Sequence, residues 1–281
     1  DAKILTETAV KWNVHFNAAR NRNEVESLAE GIPFLTLSSA RWLGLSVVAM
    51  VGQPYGTILG YDFQRDPDGN IILDPTTRRP LQSTNREVIG NGTFDWTGGL
   101  TNSLAYRNFH LGVSIDIKQG ANLFSMTNLY NVVRGNDIST LAGRDEWNQS
   151  EQDRLAAGMT ETEWFNAGNQ KGFIPQGVIK TTGPNGEISY VPNDRAVSPQ
   201  RYWEGYLNEG GLATPFIYDA SYVKIRDITF SYRFKPAFSK SIGLSDVTIG
   251  LVARNPLIIK KNVPNIDPDS NTYNGNGQGL E

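Results

Sequence analysis

Phe109-His-Leu-Gly-Val-Ser-Ile-Asp-Ile-Lys118 alternates without a break. Phe109, Leu111, Val113, Ile115 and Ile117 are apolar, and His110, Gly112, Ser114, Asp116 and Lys118 stand between them. A period of two puts successive side chains on opposite faces, so the stretch reads as a strand with one apolar and one polar face. The same pattern recurs at Trp12, Val14, Phe16 and Ala18, with Asn13, His15 and Asn17 opposite. It recurs again at Ile228, Phe230, Tyr232 and Phe234, and at Val247, Ile249, Leu251 and Ala253, where Val252 interrupts the polar side. A weaker copy places Leu100, Leu104 and Tyr106 on one face, with Asn102 among them.

The connections between these strands are uneven. Tyr106 and Phe109 are separated by Arg107-Asn108 alone, which reads as a two-residue hairpin. Phe234 and Val247 are joined by a short segment opening with Lys235-Pro236. By contrast, very long segments follow Ala18 and Ile117, longer than compact domains usually carry. Short turns on one side and long loops on the other are the layout of a transmembrane β-barrel. The expected fold is therefore all-β: an antiparallel barrel segment whose long loops hold short helices and hairpins. Strands are expected near 9–20, 94–106, 109–118, 219–234 and 246–255, with outer loops at 21–93, 119–215 and 256–281.

Composition narrows the function. The 281 residues carry Lys+Arg 26 against Asp+Glu 29, a net charge of -3, which gives no electrostatic footprint for nucleic acid. With Cys 0, disulfides, thiolate metal sites and cysteine nucleophiles are excluded. The two histidines, His15 and His110, fall on polar strand faces and read as solvated side chains, so no metal and no cofactor are expected. The longest apolar run, Leu43 to Val51, is far short of the ~20 residues of a membrane helix. The sequence holds 28 Gly and 25 Asn, a usage that suits strands joined by polar loops. It begins at Asp1 and ends in Asn-Gly-Asn-Gly-Gln-Gly-Leu-Glu281, and it reads as a piece of something larger.

Within the long loops, Thr160-Glu-Thr-Glu163 is a capping box, and Ser150-Glu-Gln-Asp153 reads as another helix start. Gly183-Pro-Asn-Gly186 and Pro67-Asp-Gly-Asn70 each read as a hairpin turn. Seven acids against two arginines lie between Asp137 and Gln170, but nothing fixes the carboxylate separation a glycosidase needs. No catalytic residues are expected. Asn265, Asp267, Asp269 and Asn271 imitate the odd positions of a calcium loop. Pro268, Ser270 and Asn276 fall where that loop would have other residues, so an Asx/Pro turn is the preferred reading.

Several segments, in order along the chain, resemble the SusC/RagA type of TonB-dependent outer-membrane transporter. They are Phe16 to Val25 with Asn21-Arg-Asn23, Gly52-Gln-Pro-Tyr-Gly-Thr-Ile-Leu-Gly-Tyr61, and Phe94-Asp-Trp-Thr-Gly-Gly-Leu-Thr-Asn102 with Tyr106-Arg-Asn-Phe109. Tyr218-Asp-Ala-Ser-Tyr-Val-Lys-Ile-Arg-Asp-Ile-Thr-Phe-Ser-Tyr232, Ala253-Arg-Asn-Pro-Leu257 and Pro264-Asn-Ile-Asp-Pro-Asp269 complete the set.

The resemblance implies about five strands of a 22-stranded barrel in a Gram-negative outer membrane, at strands 17 to 21. The plug domain and the final strand would lie outside these residues. It further implies import of an oligosaccharide or oligopeptide under a SusD-like surface lipoprotein, energised through TonB by way of the plug. Apolar rows would face lipid, with Trp12, Tyr106, Phe109, Tyr232 and Phe234 near the short-turn ends as an aromatic girdle. Asn13, His15, Asp116 and Arg233 would face the lumen. The loop aromatics Trp147, Trp164, Tyr202, Trp203 and Tyr206 are the candidates for contact with substrate or partner. The alternative is a secreted soluble β-protein that binds glycans through those same loop aromatics.

Overall fold

The computed structural model describes residues 2–5, 9–40, 43–208, 211–269 and 279–280. They divide into two units: residues 1–24, 93–122 and 219–270, and residues 25–92, 123–218 and 271–281.

The first unit is one antiparallel sheet of six strands. In chain order they are β1 (Ala2–Leu5), β2 (Val10–Arg20), β3 (Trp96–Tyr106), β4 (Phe109–Gln119), β5 (Tyr222–Arg233) and β6 (Thr248–Lys261), and each pairs with the next. The alternation marks five of them. The sixth, β1, is four residues long, too short for a period to register. Strand β6 runs to Lys261, past the expected end at Asn255. Asn255-Pro256 resembles a strand terminator, but both residues are taken up in a bulge, with Ile225 opposite Leu257 and Asp227 opposite Arg254. Asn255 takes a left-handed φ of 49°, and the proline's missing N–H is tolerated at such a bulge.

Register fixes which side chains share a face. Asn13, Ser103, Gly112 and Thr229 lie opposite one another across four strands, as do His15, Thr101, Ser114 and Asp227. On the other face Trp12, Leu104, Leu111 and Phe230 form one row, and Phe16, Leu100 and Ile115 another. This apolar face is left exposed at Trp12, Phe16, Leu104, Leu111, Phe230, Ile249 and Leu251. Asn102 is its polar exception, between Val14 and Val113.

One end of the sheet carries the short connections. Arg107 supplies the left-handed residue of the hairpin at φ 52°. Asn108 ties the turn to the next strand, its amide donating to the Arg233 carbonyl at 2.5 Å and its own carbonyl accepting the Arg233 N–H at 2.9 Å. The β5–β6 connection holds a short helix, Pro236–Ser241, started by proline in its first turn. Rings line this end: Phe109 against Phe230 and Tyr232, Tyr232 against Phe234, and Phe234 against Phe238, with centroids 4.7 to 5.9 Å apart.

The second unit is built from the long segments. Strands Phe34–Ala40, Leu45–Met50, Thr57–Gly60 and Glu87–Asn91 form an antiparallel sheet in that order. The apolar run noted above is its buried second strand, in which Leu45, Val47, Val48 and Ala49 are all sequestered. The hairpin Val178–Thr182/Ile188–Pro192 pairs in parallel with Ile72–Leu73. Four helices follow the chain: α1 (Met126–Val133), α2 (Arg144–Ala156), α3 (Glu161–Asn166) and α4 (Pro199–Asn208). Leu43, Leu45, Val47, Ile58, Phe124, Leu129, Phe216 and Leu280 belong to the core that α1 and α4 join.

The capping box of α3 is complete, with reciprocal bonds between Thr160 and Glu163. Those backbone and side-chain donors hold the Glu163 carboxyl below its ordinary value. Helix α2 does not start at Ser150 but six residues earlier, at Arg144. Its N-cap is Gly143, which has no side chain to announce it. Ser150 instead sits buried in mid-helix, accepting from Trp164 Nε1 at 2.9 Å and from the Lys171 N–H at 3.1 Å.

Candidate functional site

On the sheet, the polar face gathers a charged cluster near the start of β5. Arg226 is an extra residue there, since Ile225 and Asp227 pair with the adjacent Ile115 and Ser114. A bulge re-aims its side chain, and Arg226 reaches Asp116 and Asp269, each at 2.7 Å. Lys224 is the most deeply placed charge, with a side chain only 3% exposed. Its ammonium meets Asp267 at 2.5 Å and Asp269 at 3.8 Å. Lys118 reaches Asp269 at 3.2 Å and lies over the Phe94 and Tyr222 rings. The Tyr222 hydroxyl stands 2.9 Å from Asp116 and 3.0 Å from Asp269.

The cluster pins the segment Asn262–Asp269 to the sheet. Lys261 Nζ donates to the Ile266 carbonyl at 2.6 Å, and the Asn262 amide donates to Asp219 at 2.6 Å. Burial alone would raise the Asp269 carboxyl. The Arg226 hydrogen bond and the Lys118 charge outweigh it and hold the group below its ordinary value. Asp269 N–H donates to Asp267 Oδ1 at 3.0 Å, the Asx turn expected from the spacing. Both carboxylates are engaged by cations. Asn271 and Asn276 lie outside the described residues. Among the described residues no group of three His, Asp or Glu is placed to hold a metal.

Of the other polar-face candidates, Asn13 and His15 are exposed. Arg233, at the short-turn end, pairs with Asp246 at 3.0 Å.

In the second unit the five loop aromatics have different environments. Tyr202 and Tyr206 are 7% and 9% exposed and belong to the core. Burial raises both phenols, which stay protonated, their hydroxyls 3.4 Å apart. Trp164 braces α3 against α2 through Ser150. Trp203 stacks on Tyr206 with centroids 5.9 Å apart and stands edge-on to Tyr202 at 4.9 Å.

Trp147 and Trp203 line a cavity of about 530 Å³ between α1, α2 and α4, in the size range of small-molecule sites. Arg134, Asn148, Gln200 and Glu204 supply its polar groups. A second cavity, of about 440 Å³, shares Trp147 and Ser198 with the first. Sequence reading picks out the two tryptophans but misses Arg134, Asn148, Gln200 and Glu204, because nothing local marks a residue whose neighbours come from three separate helices.

No family model matches the chain. A curated relative, "TonB-dependent receptor P3" of Formosa agariphila, is 21% identical over 99% of this chain and 25% of its own length. The solved RagAB peptide importer in its closed-closed state matches 99% of this chain and 27% of that one, with a TM-score of 0.56 and 16% identity. In the open-open state the figures are 99%, 26%, 0.53 and 14%. At these identities the solved structures establish the fold. The chain spans about a quarter of the length of each of these proteins, and over that quarter it is similar in sequence to a TonB-dependent receptor and in fold to the RagAB peptide importer.

Proposed function

We propose that the chain forms part of the wall and outer loops of an outer-membrane importer of oligosaccharides or oligopeptides. That importer would work with a SusD-like lipoprotein and be driven through TonB. The observation that carries this reading is the segregation of the two sheet faces. Apart from Asn102 on the apolar face and Val252 on the polar one, apolar side chains keep to one exposed face across five strands and polar ones to the other. In water such a face would need a covering layer; in lipid it needs none.

Trp96 and Tyr106 bound β3 on that face. The ten residue steps from one to the other rise ~33 Å, which at a tilt of ~40° matches the ~25 Å apolar band of a barrel. Further strands would pair with β1 and β6, since hydrocarbon does not tolerate open sheet edges. The short connections would be periplasmic and the long segments external. Asn13, His15 and Asp116 would line the lumen with Arg233 at its mouth, and no bond would be made or broken.

Single cysteines test this, because the chain has none of its own. Thr229→Cys on the polar face should label with a water-soluble maleimide in intact outer membranes. Leu111→Cys on the apolar face should resist until the protein is denatured. Equal labelling of both, in protein that stays monodisperse without detergent, would replace the importer with the soluble glycan-binding alternative.

A further inference from the structure

The connection between β5 and β6 exposes more apolar surface than a turn in water needs. Phe238, Ile242 and Leu244 are 46%, 52% and 51% exposed. Phe238 and Ile242 stand four residues apart, on one side of the Pro236–Ser241 helix and its C-cap. Lys240 lies about 200° round from Phe238, on the other side.

Rings fix the side of the sheet on which this helix lies. Phe234 keeps the alternation of Phe230 and Tyr232, because its N–H still bonds the Val247 carbonyl at 2.9 Å. It stands edge-on to Tyr232 at 5.0 Å. Phe238 then stacks on Phe234 with centroids 4.7 Å and planes 27° apart, so the helix continues the apolar face past the last ladder bond. On the polar side of the same connection Arg233 meets Asp246 at 3.0 Å.

The charges are one-signed. Phe234 to Ser245 holds Lys235 and Lys240 and no acid, and Asp246, the first acid after them, is taken by Arg233. The Arg107-Asn108 hairpin, tied to this connection through Asn108 and Arg233, adds a third cation. The Arg107 guanidinium lies over the Tyr106 ring at 5.1 Å.

We propose that this connection is an anchor for anionic phospholipid at the short-turn side of the membrane. The inference rests on the importer reading, which makes the apolar sheet face the lipid face. Phe238, Ile242 and Leu244 enter the first acyl carbons, while Lys235, Lys240 and Arg107 reach the headgroup phosphates. A protein layer is the competing cover. Whatever fills the lumen lies on the Arg233–Asp246 side, away from Phe238. Each cation near an anionic surface favours charged over neutral headgroups by about fivefold.

The test uses the full-length receptor, freed of any other cysteine, in phosphatidylethanolamine nanodiscs. Ile242→Cys, Lys240→Cys and Leu111→Cys each carry one bimane fluorophore. Two quenchers report on the surroundings: iodide in water, and a lipid with a nitroxide near the head of its acyl chain. That lipid is phosphatidylglycerol in one series and phosphatidylcholine in the other.

The lipid should quench Ile242 severalfold more than Lys240, and iodide should do the reverse. Phosphatidylglycerol should quench Ile242 at least fivefold more effectively than phosphatidylcholine, roughly the effect of one cation. Lys235→Gln with Lys240→Gln should bring the two lipids close to level.

Iodide quenching of Ile242 as strong as that of Lys240 overturns the anchor. Quenching of Ile242 by neither agent also overturns it, since protein then covers the helix. Equal quenching by the two lipids in the parent removes the phosphate contacts and the proposal with them. Leu111 separates the two readings. If lipid quenches Leu111 but not Ile242, the anchor alone falls; if iodide quenches Leu111 and lipid does not, the importer falls as well.

Discussion

Replacing Lys224 with methionine should release the Asn262–Asp269 segment from the sheet while leaving the strands paired. Lys224 is 3% exposed and faces Asp267 and Asp269, so methionine removes the charge with little change of volume and leaves two carboxylates facing each other. Removing one partner of a fully buried pair costs ~3–5 kcal/mol. Here Asp267 is 39% and Asp269 25% exposed, so water recovers part of that, and about 2 kcal/mol is expected.

That is roughly a thirtyfold increase in the open population. It should be read as a thirtyfold faster cleavage before Ile266, buried inside the segment, by a protease that cuts ahead of apolar residues, at protease concentrations where reclosing is faster than cutting. Restoring neutrality with Lys224→Met plus Asp267→Asn should recover most of the loss. Equal cleavage of the single variant and the parent would show that the cations do not hold this segment.

Acid should act on the same contacts. Asp269 has a folded-state pKa below its unfolded value, so its contribution is complete above ~4 and is lost as pH falls below that. Protease sensitivity should therefore be flat through neutral pH and rise only in strong acid.

The residues of this cluster show how far the sequence could be read. Tyr222, Lys224 and Arg226 lie in one segment that carries the family resemblance, and Asp267 and Asp269 lie in another. Their pairing was not visible, because 40 residues and a strand-turn-strand path separate them. The bulge that aims Arg226 shows only as a one-residue shift against both neighbouring strands.

Alternation was legible wherever a strand had one wet and one apolar face, which is why β2, β4 and β5 stand out. It was weak in β3, where Asn102 interrupts the apolar row. It was absent for Leu45–Met50, a strand buried on both sides that reads as a plain apolar run. Loop aromatics were visible as residue types, but their roles were not. Tyr202 and Trp203 are adjacent, yet Tyr202 is buried in the core and borders the second cavity while Trp203 lines the first, because a helix turns ~100° per residue.

The cavity also depends on a glycine that the sequence does not advertise, and its replacement should have the largest effect in the second unit. Gly143 takes φ 80° at the start of α2, and a Cβ there would stand 2.3 Å from the Phe173 nitrogen and 2.4 Å from the Gly172 carbonyl carbon. Those are backbone atoms, so no side chain can swing aside. Left-handed geometry costs alanine ~1–2 kcal/mol, and forced displacement of a packed backbone adds ~1–3.

Gly143→Ala is therefore expected to cost about 3 kcal/mol. Gly158→Ala is the control: at φ 67° with nothing within 4 Å of its Cβ, it bears the conformational cost alone. Hydrogen exchange on the full-length receptor should show α2 amides exchanging more than a hundredfold faster in the first variant and about five- to thirtyfold faster in the second. Trp147 starts the helix by donating its N–H to the Gly143 carbonyl at 2.9 Å, so the same displacement moves the indole shared by both cavities. If the two variants exchange alike, the close approach of α2 to Gly172–Phe173 is not what holds the helix in place.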